Sequence, residues 1–262
     1  MKDNGSTGVL LDVHAMTHVF GGLMAVDDLS FQVREGAIAS LIGPNGAGKT
    51  TVFNCITGFY QPRHGAILFR GRELRGMRPH RIAQLGLVRT FQSIRLFPNM
   101  STLDNVLAGR HCRTRSGVLG AIVRPPWQQS EERASRAVAE ELLSFVGLGG
   151  VQHALARGLS YGDQRRLEIA RALATAPSLL VLDEPAAGMN PAEKERLAGL
   201  IYRIRERGTT VLLIEHDMRL VMNISDHVTV LNFGRKIAEG APTVVQRDPG
   251  VIEAYLGADE DE

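Results

Sequence analysis

Residues 43–51 read GPNGAGKTT and match the complete pattern G-x-x-x-x-G-K-[ST] of a phosphate-binding loop. The pattern follows an apolar run and precedes a predicted helix, which is the context that such a loop requires. Its glycines allow the backbone to wrap around phosphates, and the N–H groups at the helix start favour an anion. We expect Lys49 to bridge the β- and γ-phosphates and the Thr50 hydroxyl to ligate Mg²⁺. The predicted phosphate site comprises Gly43, Pro44, Asn45, Gly46, Ala47, Gly48, Lys49, Thr50 and Thr51.

Two adjacent carboxylates end a second apolar run, SLLVLDE, and suit the hydrolysis of a bound nucleotide. Asp183 stands where a carboxylate can hold Mg²⁺ through water, and Glu184 can accept a proton from the attacking water or orient it. An isolated Asp-Glu pair at a strand end more often caps a helix, but the phosphate loop favours the catalytic interpretation. A third run, LLIEHD, places His216 at the end of another core strand. A single histidine there is more often structural, and a γ-phosphate contact becomes the expectation because the other site residues accompany it.

A second Ser/Gly turn opens onto a helix at Ser160 and Gly162, within the segment LSYGDQRRLEIARAL. The N-terminus of a helix is another local structure that favours a phosphate group. One phosphate loop is enough to hold a nucleotide, so these residues by themselves leave the purpose of the second turn open.

The elements that must position these residues alternate between strands and helices. Two segments with strand character, 9–20 and 29–36, are separated by the Gly21-Gly22 turn and predict an N-terminal antiparallel β subdomain. Farther along, apolar strands separated by helices imply a mainly parallel sheet that is buried on both faces. The predicted fold class is therefore α/β with a mainly parallel sheet, and with the phosphate loop it resembles the P-loop NTPase (RecA-like) core.

A change of pattern after residue 92 predicts an inserted subdomain. Residues 93–157 have little β character and contain an amphipathic stretch, so they are expected to form an α-helical subdomain. The β/RecA-like core is then predicted over 9–92 and 158–240. Residues 241–262 are expected to form a helical tail that ends in acidic residues, and the whole chain, 1–262, is interpreted as one domain.

The bulk properties exclude several classes of protein. The chain has 262 residues, 44% hydrophobic content and a formal net charge of +2, as in an ordinary globular protein with no demand for nucleic acid. Cys55 and Cys112 cannot form a disulfide framework and suit a reducing compartment. The start lacks the apolar stretch of a signal peptide, and no run of about 18 apolar residues could span a membrane. We therefore expect any membrane role to come through a partner.

The set of motifs resembles the ATP-binding subunits of ABC transporters from about residue 9 to residue 240. By this resemblance the nucleotide is ATP, Gln92 is the Q-loop glutamine that meets the γ-phosphate and Mg²⁺, and LSYGDQ is the signature motif. Phe20 takes the position of the aromatic residue that stacks on adenine, although a core aromatic is its ordinary alternative. The resemblance also gives the second turn a purpose. In this family two subunits associate head to tail, and Ser160 and Gly162 of one cap the γ-phosphate bound by the other.

Two signature positions depart from the commonest family pattern. Tyr161 stands where glycine is usual, and Asp163 stands where Gln or Glu is usual. Tyr161 is a familiar variant in one branch of the family. Asp163 is shorter than the usual residue, which leaves its role open.

Longer segments resemble one branch, the LivG-type ATPases of branched-chain amino acid uptake systems. They are FGGLMAVDDLSF, RTFQSIRLFPNMSTLDNV, LSYGDQRRLEIARAL, LDEPAAGMNPAE and DPGVIEAYLG. The resemblance implies a subunit at the cytoplasmic face of the inner membrane that works with a second ABC ATPase, two permeases and, indirectly, a periplasmic binding protein. The second ATPase is expected to be a related but distinct chain, with self-association as the alternative. The permeases are expected to dock near Gln92–Met100, where a groove with Leu96, Phe97 and Met100 would receive a permease helix. The alternative is that these apolar residues pack beneath the chain's own helical subdomain.

Three alternative functions follow from weaker likenesses. The ATPase of lipopolysaccharide export is a close sibling, but the longer insert and the SYGDQ signature disfavour it. A soluble ABC ATPase of DNA repair or translation would usually carry a long coiled coil or two cassettes. A non-hydrolytic regulatory module would not need all of Lys49, Asp183, Glu184 and His216. The identity of the solute is open, because the permeases and the binding protein would select it.

Overall fold

A computed structural model describes residues 8–110 and 126–256 of the chain. The strands in these ranges are β1 (Val9–Phe20), β2 (Leu23–Arg34), β3 (Ile38–Ile42), β4 (His64–Phe69), β5 (Arg72–Glu73), β6 (Leu87–Arg89), β7 (Leu179–Asp183), β8 (Thr210–Ile214), β9 (His227–Asn232) and β10 (Arg235–Gly240). The helices are α1 (Lys49–Ile56), α2 (Pro79–Leu85), α3 (Thr102–Arg110), α4 (Pro126–Phe145), α5 (Tyr161–Leu173), α6 (Pro191–Glu206), α7 (Met218–Ile224), α8 (Pro242–Val245) and α9 (Pro249–Leu256).

The chain divides into two compact units. The first combines the described parts of Met1–Arg89 and Ser178–Glu262, and the second is Thr90–Pro177. All strands named above lie in the first unit, whereas the second contains α3, α4 and α5. None of the helices in the described ranges is long and apolar enough to cross a membrane.

The first unit contains two sheets. The smaller is antiparallel, with strand order β2-β1-β4-β5, and it corresponds to the predicted N-terminal β subdomain. The larger has the order β10-β9-β3-β8-β7-β6, in which all neighbours are parallel except the β9–β10 hairpin. The predicted fold class, a mainly parallel α/β core with an added antiparallel sheet and an α-helical insertion, is confirmed.

The central strands of the larger sheet bring one part of the predicted site to one edge, namely the phosphate loop, Asp183, Glu184 and His216. Every residue of β3, β7 and β8 is buried, as expected for apolar strands covered by helices on both faces. Because these strands are parallel, their carboxyl ends meet at the same edge. The chain leaves β3 into the phosphate loop, β7 into Glu184 and β8 toward His216. In open α/β sheets this edge is where ligands bind.

The second unit starts and ends at positions that differ from the predicted ones. The sequence interpretation placed residues 158–177 in the core, whereas helix α5 belongs to the second unit and packs against α3. This packing is close, because a Cβ atom at Gly109 of α3 would lie 2.2 Å from the carbonyl oxygen of Arg171. The apolar periodicity of α5 identified a buried face, but it carried no information about which helix covers that face. The core segment therefore resumes at Ser178, immediately before β7.

The predicted C-terminal tail is helical where it is described. Helices α8 and α9 follow β10, and both pack against it. The acidic end of the tail, residues 257–262, lies outside the described ranges.

Candidate functional site

The phosphate loop is held by backbone from two distant parts of the first unit. Gly43 has a φ of +154° and Gly48 a φ of +99°. A Cβ atom at Gly43 would lie 2.2 Å from the Leu231 carbonyl oxygen, and one at Gly48 would lie 2.5 Å from the Ala25 carbonyl oxygen. Glycine is therefore needed at both positions for the conformation and for the close approach of neighbouring backbone.

Lys49 begins helix α1 and is only 7% exposed. Its Nζ donates hydrogen bonds to the carbonyl oxygens of Gly43 (2.6 Å) and Pro44 (2.7 Å). Burial lowers the pKa of Lys49, and the carboxylates of Glu184 and, to a smaller extent, Asp183 act in the opposite direction. The ammonium group is thus poised inside the loop, and the next residue, Thr50, is exposed at the first turn of α1.

Asp183, the last residue of β7, forms a buried ion pair. Its Oδ2 accepts a hydrogen bond of 2.6 Å from Arg89 at the end of β6, and both side chains are less than a tenth exposed. Arg89 also donates to Oδ1 of Asn54 in helix α1 at 2.7 Å. Arg89 therefore connects the predicted metal-site carboxylate to the helix that follows the phosphate loop. No feature of the sequence identified Arg89, because β6 and β7 lie far apart in the chain and their pairing had to be seen.

Glu184 follows β7 in a left-handed backbone conformation with a φ of +44°. Its N–H donates to the carbonyl oxygen of Ile214 at 3.0 Å, which fixes the turn. Its Oε2 lies 3.9 Å from Nδ1 of His216, whose side chain is 58% exposed. Non-glycine residues in this conformation are strained and concentrate at functional sites. Glu184 and His216, predicted from separate motifs, are thus brought together at one edge of the sheet.

Glu215, beside His216, was not predicted as a site residue. It is fully buried and accepts hydrogen bonds from the N–H groups of Ala186 (2.8 Å) and His216 (3.3 Å). Burial is the main effect on its carboxyl group and raises its pKa. Its carboxylate joins the turn after Glu184 to the turn that carries His216. The sequence did carry one signal for Glu215, because a charged residue directly follows an apolar run there.

Phe20 lies at the end of β1 with 42% of its surface exposed. It contacts the rings of His18 and Tyr60 edge to face, at centroid distances of 4.6 Å and 5.2 Å. His18 and Tyr60 stack on each other at 5.3 Å. The three rings form an aromatic cluster in which Phe20 is partly accessible, so a ring of a ligand could stack on it. The sequence interpretation identified Phe20 but not His18 or Tyr60, the two rings that it contacts.

The remaining predicted site residues lie in the second unit. Gln92 is exposed in an irregular segment, and Ser160 is the exposed N-cap of α5. The Ser160 hydroxyl accepts a hydrogen bond of 3.2 Å from the N–H of Asp163. Gly162 is in the first turn, and the Asp163 carboxylate pairs with Arg166 one turn further along. Asp163 is therefore engaged within its own helix.

The segment 93–100 is anchored to the second unit and leaves one large side chain exposed. The Asn105 side chain accepts from the N–H of Phe97 (2.9 Å) and donates to its carbonyl oxygen (3.1 Å). The Phe97 ring is 49% exposed, whereas Leu96 and Met100 are partly buried. The partial burial of Leu96 and Met100 agrees with packing inside the second unit, and docking of a permease on this segment stays a prediction.

The residues present fit a magnesium nucleotide better than a free metal ion. Thr50 and Asp183 supply a hydroxyl and a carboxylate, the oxygen ligands that Mg²⁺ prefers. In the described ranges no group of three or more His, Cys, Asp or Glu side chains could hold a metal by itself. A Mg²⁺ ion held by these two groups would take its remaining ligands from phosphate oxygens and water, as is usual for nucleotide sites.

Comparison with known proteins gives the family. The family model described as ABC transporter matches residues 26–187, and the model described as branched-chain amino acid ATP-binding cassette transporter matches residues 235–261. The high-affinity branched-chain amino acid transport ATP-binding protein BraF of Pseudomonas aeruginosa is 48% identical over 249 residues, which cover 95% of this chain and 98% of BraF. LivG of Escherichia coli, of the same description, is 47% identical with the same coverage.

A solved structure extends this likeness to the fold. The ADP conformation of MJ1267, an ATP-binding cassette of an ABC transporter, matches 96% of this chain and 100% of its own. The two share 34% sequence identity and a TM-score of 0.84. The chain belongs to the ATP-binding proteins of ABC transporters, in the branch of the branched-chain amino acid transport ATP-binding proteins.

Proposed function

We propose that this chain is the ATP-hydrolysing subunit of an ABC importer for branched-chain or related amino acids. The observation that carries the proposal is the approach of His216 to Glu184, 3.9 Å apart, at the sheet edge that also bears Lys49 and Asp183. A regulatory module without hydrolysis would not need that approach. The names of the 47–48% identical relatives support amino acid transport as the process that hydrolysis drives.

The residues of the first unit have distinct roles in this proposal. The loop N–H groups and Lys49 hold the phosphates, and Phe20 stacks on adenine with His18 and Tyr60 behind it. Thr50, Asp183 and Gln92 would hold Mg²⁺, which neutralises phosphate charge when bound. Glu184 orients the attacking water or takes its proton, and His216 donates a hydrogen bond to the γ-phosphate. Arg89 holds one oxygen of Asp183 and also bonds Asn54, so it fixes this carboxylate relative to helix α1.

The signature turn supports a head-to-tail dimer. Ser160 and the start of α5 form a half-site, because the exposed helix N-terminus favours a phosphate and the Ser160 O–H remains able to donate. We infer that Ser160 and Gly162 cap the nucleotide bound by a second ABC ATPase. That partner is a related but distinct subunit, with a second copy of this chain as the alternative.

The membrane partners are inferred from the exposed Phe97 and from the family. Two permease subunits would dock on Gln92–Met100, with Phe97 as the apolar contact. This would place the chain peripherally at the cytoplasmic face of the inner membrane. A periplasmic binding protein on the other side would act on it only indirectly, through the permeases. We infer no nucleic-acid partner for this assembly.

Glu184→Gln tests the assignment of the catalytic carboxylate. Loss of a general base costs about 10²–10⁴-fold in rate, so single-turnover hydrolysis of ATP should fall by that factor while ATP affinity is kept. Glu195→Gln, an exposed change on helix α6, is the matched control and should hydrolyse ATP at the wild-type rate. Hydrolysis by Glu184→Gln at the wild-type rate would refute the role of Glu184.

The same variant tests the partners. Tagged Glu184→Gln protein with ATP and Mg²⁺ should capture two polytopic permeases and a related ATPase from gently solubilised membranes. Export-type membrane proteins with a self-dimer would replace the import proposal by lipopolysaccharide export. A soluble complex with DNA or ribosomes would leave the ATPase assignment standing, but it would replace amino acid transport by DNA repair or translation as the process that hydrolysis drives.

A further inference from the structure

Helix α5 carries a fully buried arginine. The side chain of Arg165 donates from one terminal nitrogen to the Phe91 carbonyl oxygen (2.6 Å) and to Glu168 (2.8 Å). The other terminal nitrogen donates to the Gln92 carbonyl oxygen (2.7 Å) and to the Tyr161 hydroxyl (3.2 Å). One guanidinium group thus holds two consecutive carbonyls of the segment that contains Gln92.

The acidic partner of this arginine extends the same connection. Glu168 is 2% exposed, and its Oε1 accepts from the N–H of Arg95 at 3.3 Å. The Arg95 guanidinium lies over the Phe91 ring, 4.0 Å from its centroid. The segment 91–95 is therefore attached to α5 at three backbone groups, although it has no regular secondary structure.

We propose that Arg165 is a positioning residue that makes the Gln92 segment and the signature turn at Ser160 move as one body. The proposal rests on the proposed function, in which Gln92 meets the chain's own nucleotide and Ser160 caps the partner's. ATP bound in one site would then orient, through Arg165, the half-site offered to the other. The connection lies wholly within the second unit.

The shape of the arginine side chain is what this role requires. Its planar fork carries donors in fixed directions and can bridge the two carbonyls and Glu168 together. Lysine retains the positive charge opposite Glu168, but its single ammonium group cannot span the same set of acceptors. Arg165→Lys therefore keeps the buried charge pair and removes the bridge.

Amide hydrogen exchange of the full chain tests this connection. The parent is the Glu184→Gln variant, compared with Mg²⁺ and either ATP or ADP. In the parent we expect ATP to slow exchange in 43–51, 91–97 and 160–165, by about fivefold or more in the last two. With Arg165→Lys added, 91–97 should keep its protection and 160–165 should lose it. Arg136→Lys, in an exposed pair with Glu140, is the control and should behave as the parent.

Steady-state kinetics provides the second measurement, in variants that keep the native Glu184 and therefore hydrolyse ATP. Arg165→Lys should lower kcat for ATP hydrolysis with little change in KM, because binding to the phosphate loop does not involve Arg165. Arg165→Met/Glu168→Leu, which removes both buried charges at similar volume, should have the same effect. Thermal unfolding of each variant accompanies both measurements.

The outcomes separate the inference from the function on which it rests. No ATP-dependent protection of 43–51 in the parent would refute the proposed function. Protection of 43–51 with joint protection of 91–97 and 160–165 in a folded Arg165 variant would overturn the role of Arg165 alone. Failure of both Arg165 variants to fold would also overturn it, because the pair would then serve the fold rather than the coupling.

Discussion

At the residue scale, the strained turn at Glu184 has a structural cause. The chain must leave β7 and aim a carboxylate back toward the phosphate loop, and a φ of +44° produces that reversal. Such a conformation costs a non-glycine residue on the order of 1–3 kcal/mol. The hydrogen bond from the Glu184 N–H to Ile214 and the buried Glu215 on the next strand offset this cost. The carboxylate that we propose to be catalytic is thus held in place by the chain itself.

The glycines of the phosphate loop give a prediction at the same scale. Gly48→Ala adds a Cβ atom 2.5 Å from the Ala25 carbonyl oxygen at a φ of +99°, so both strain and a clash result. Gly36→Ala, in a turn with a φ of +76° and nothing within 4 Å, adds strain alone. Denaturant unfolding should show a loss of about 1 kcal/mol for Gly36→Ala and roughly 1–3 kcal/mol more for Gly48→Ala. Equal losses would mean that the Ala25 contact is unimportant.

Which single residues could be predicted from the sequence depended on how local their pattern is. Lys49, Asp183 and Glu184 were identified because each stands in a short motif next to an apolar strand. Arg89 and Arg165 act on partners more than 70 residues away in the chain, Asp183 for Arg89 (94 residues) and Phe91 for Arg165 (74 residues). No spacing rule reports such a contact, so these two residues required the structure.

At the element scale, the buried Glu215 that follows strand β8 should make the free energy of unfolding depend on pH. Burial raises the pKa of Glu215 above its ordinary value of 4.5, so the folded chain binds more protons there than the unfolded chain. The contribution of Glu215 to the free energy of unfolding must then decrease as the pH rises from about 4.5 through the raised pKa. Glu215→Gln should remove this decrease.

The measurement is urea unfolding of wild type and Glu215→Gln at several pH values from 5 to 8. The diagnostic quantity is the slope of the unfolding free energy against pH, because the amide also loses an acceptor for the His216 N–H. Glu195→Gln, an exposed change, should retain the wild-type slope. Parallel slopes for wild type and Glu215→Gln would mean that Glu215 stays ionised throughout.

Elements were easier to predict than the units they form. The apolar runs identified β3, β7 and β8, and Asn190-Pro191 marked the start of α6, where Asn190 and Glu193 form a capping box. The boundaries at 90 and 177 were not predicted, because periodicity shows that one face of α5 is buried but not against what. Strand order was likewise out of reach, since β3 lies between two strands from the other end of the chain.

At the scale of the whole molecule, nucleotide binding should stabilise the fold by mass action. A ligand at about 100 times its Kd adds roughly 2.7 kcal/mol to the free energy of unfolding. Thermal unfolding of wild type should therefore shift upward with Mg²⁺ and ATP. Lys49→Ala should show no shift, because the buried ammonium group is proposed to be a main phosphate contact. Lys236→Ala, a change in the β10 hairpin, is the control. A full shift in Lys49→Ala would mean that ATP binds elsewhere.

The backbone that closes the phosphate loop also has a consequence for how the protein is made. Strand β3 becomes an interior strand only when β8 and β9 are in place, and the Gly234 N–H donates to the Ala47 carbonyl oxygen at 3.0 Å. Because synthesis proceeds from the N-terminus, the loop emerges from the ribosome long before residues 230–234 exist. A nascent chain therefore holds the full phosphate motif without a working site. We therefore expect it to bind ATP only after residues 230–234 have been translated and have packed on the loop.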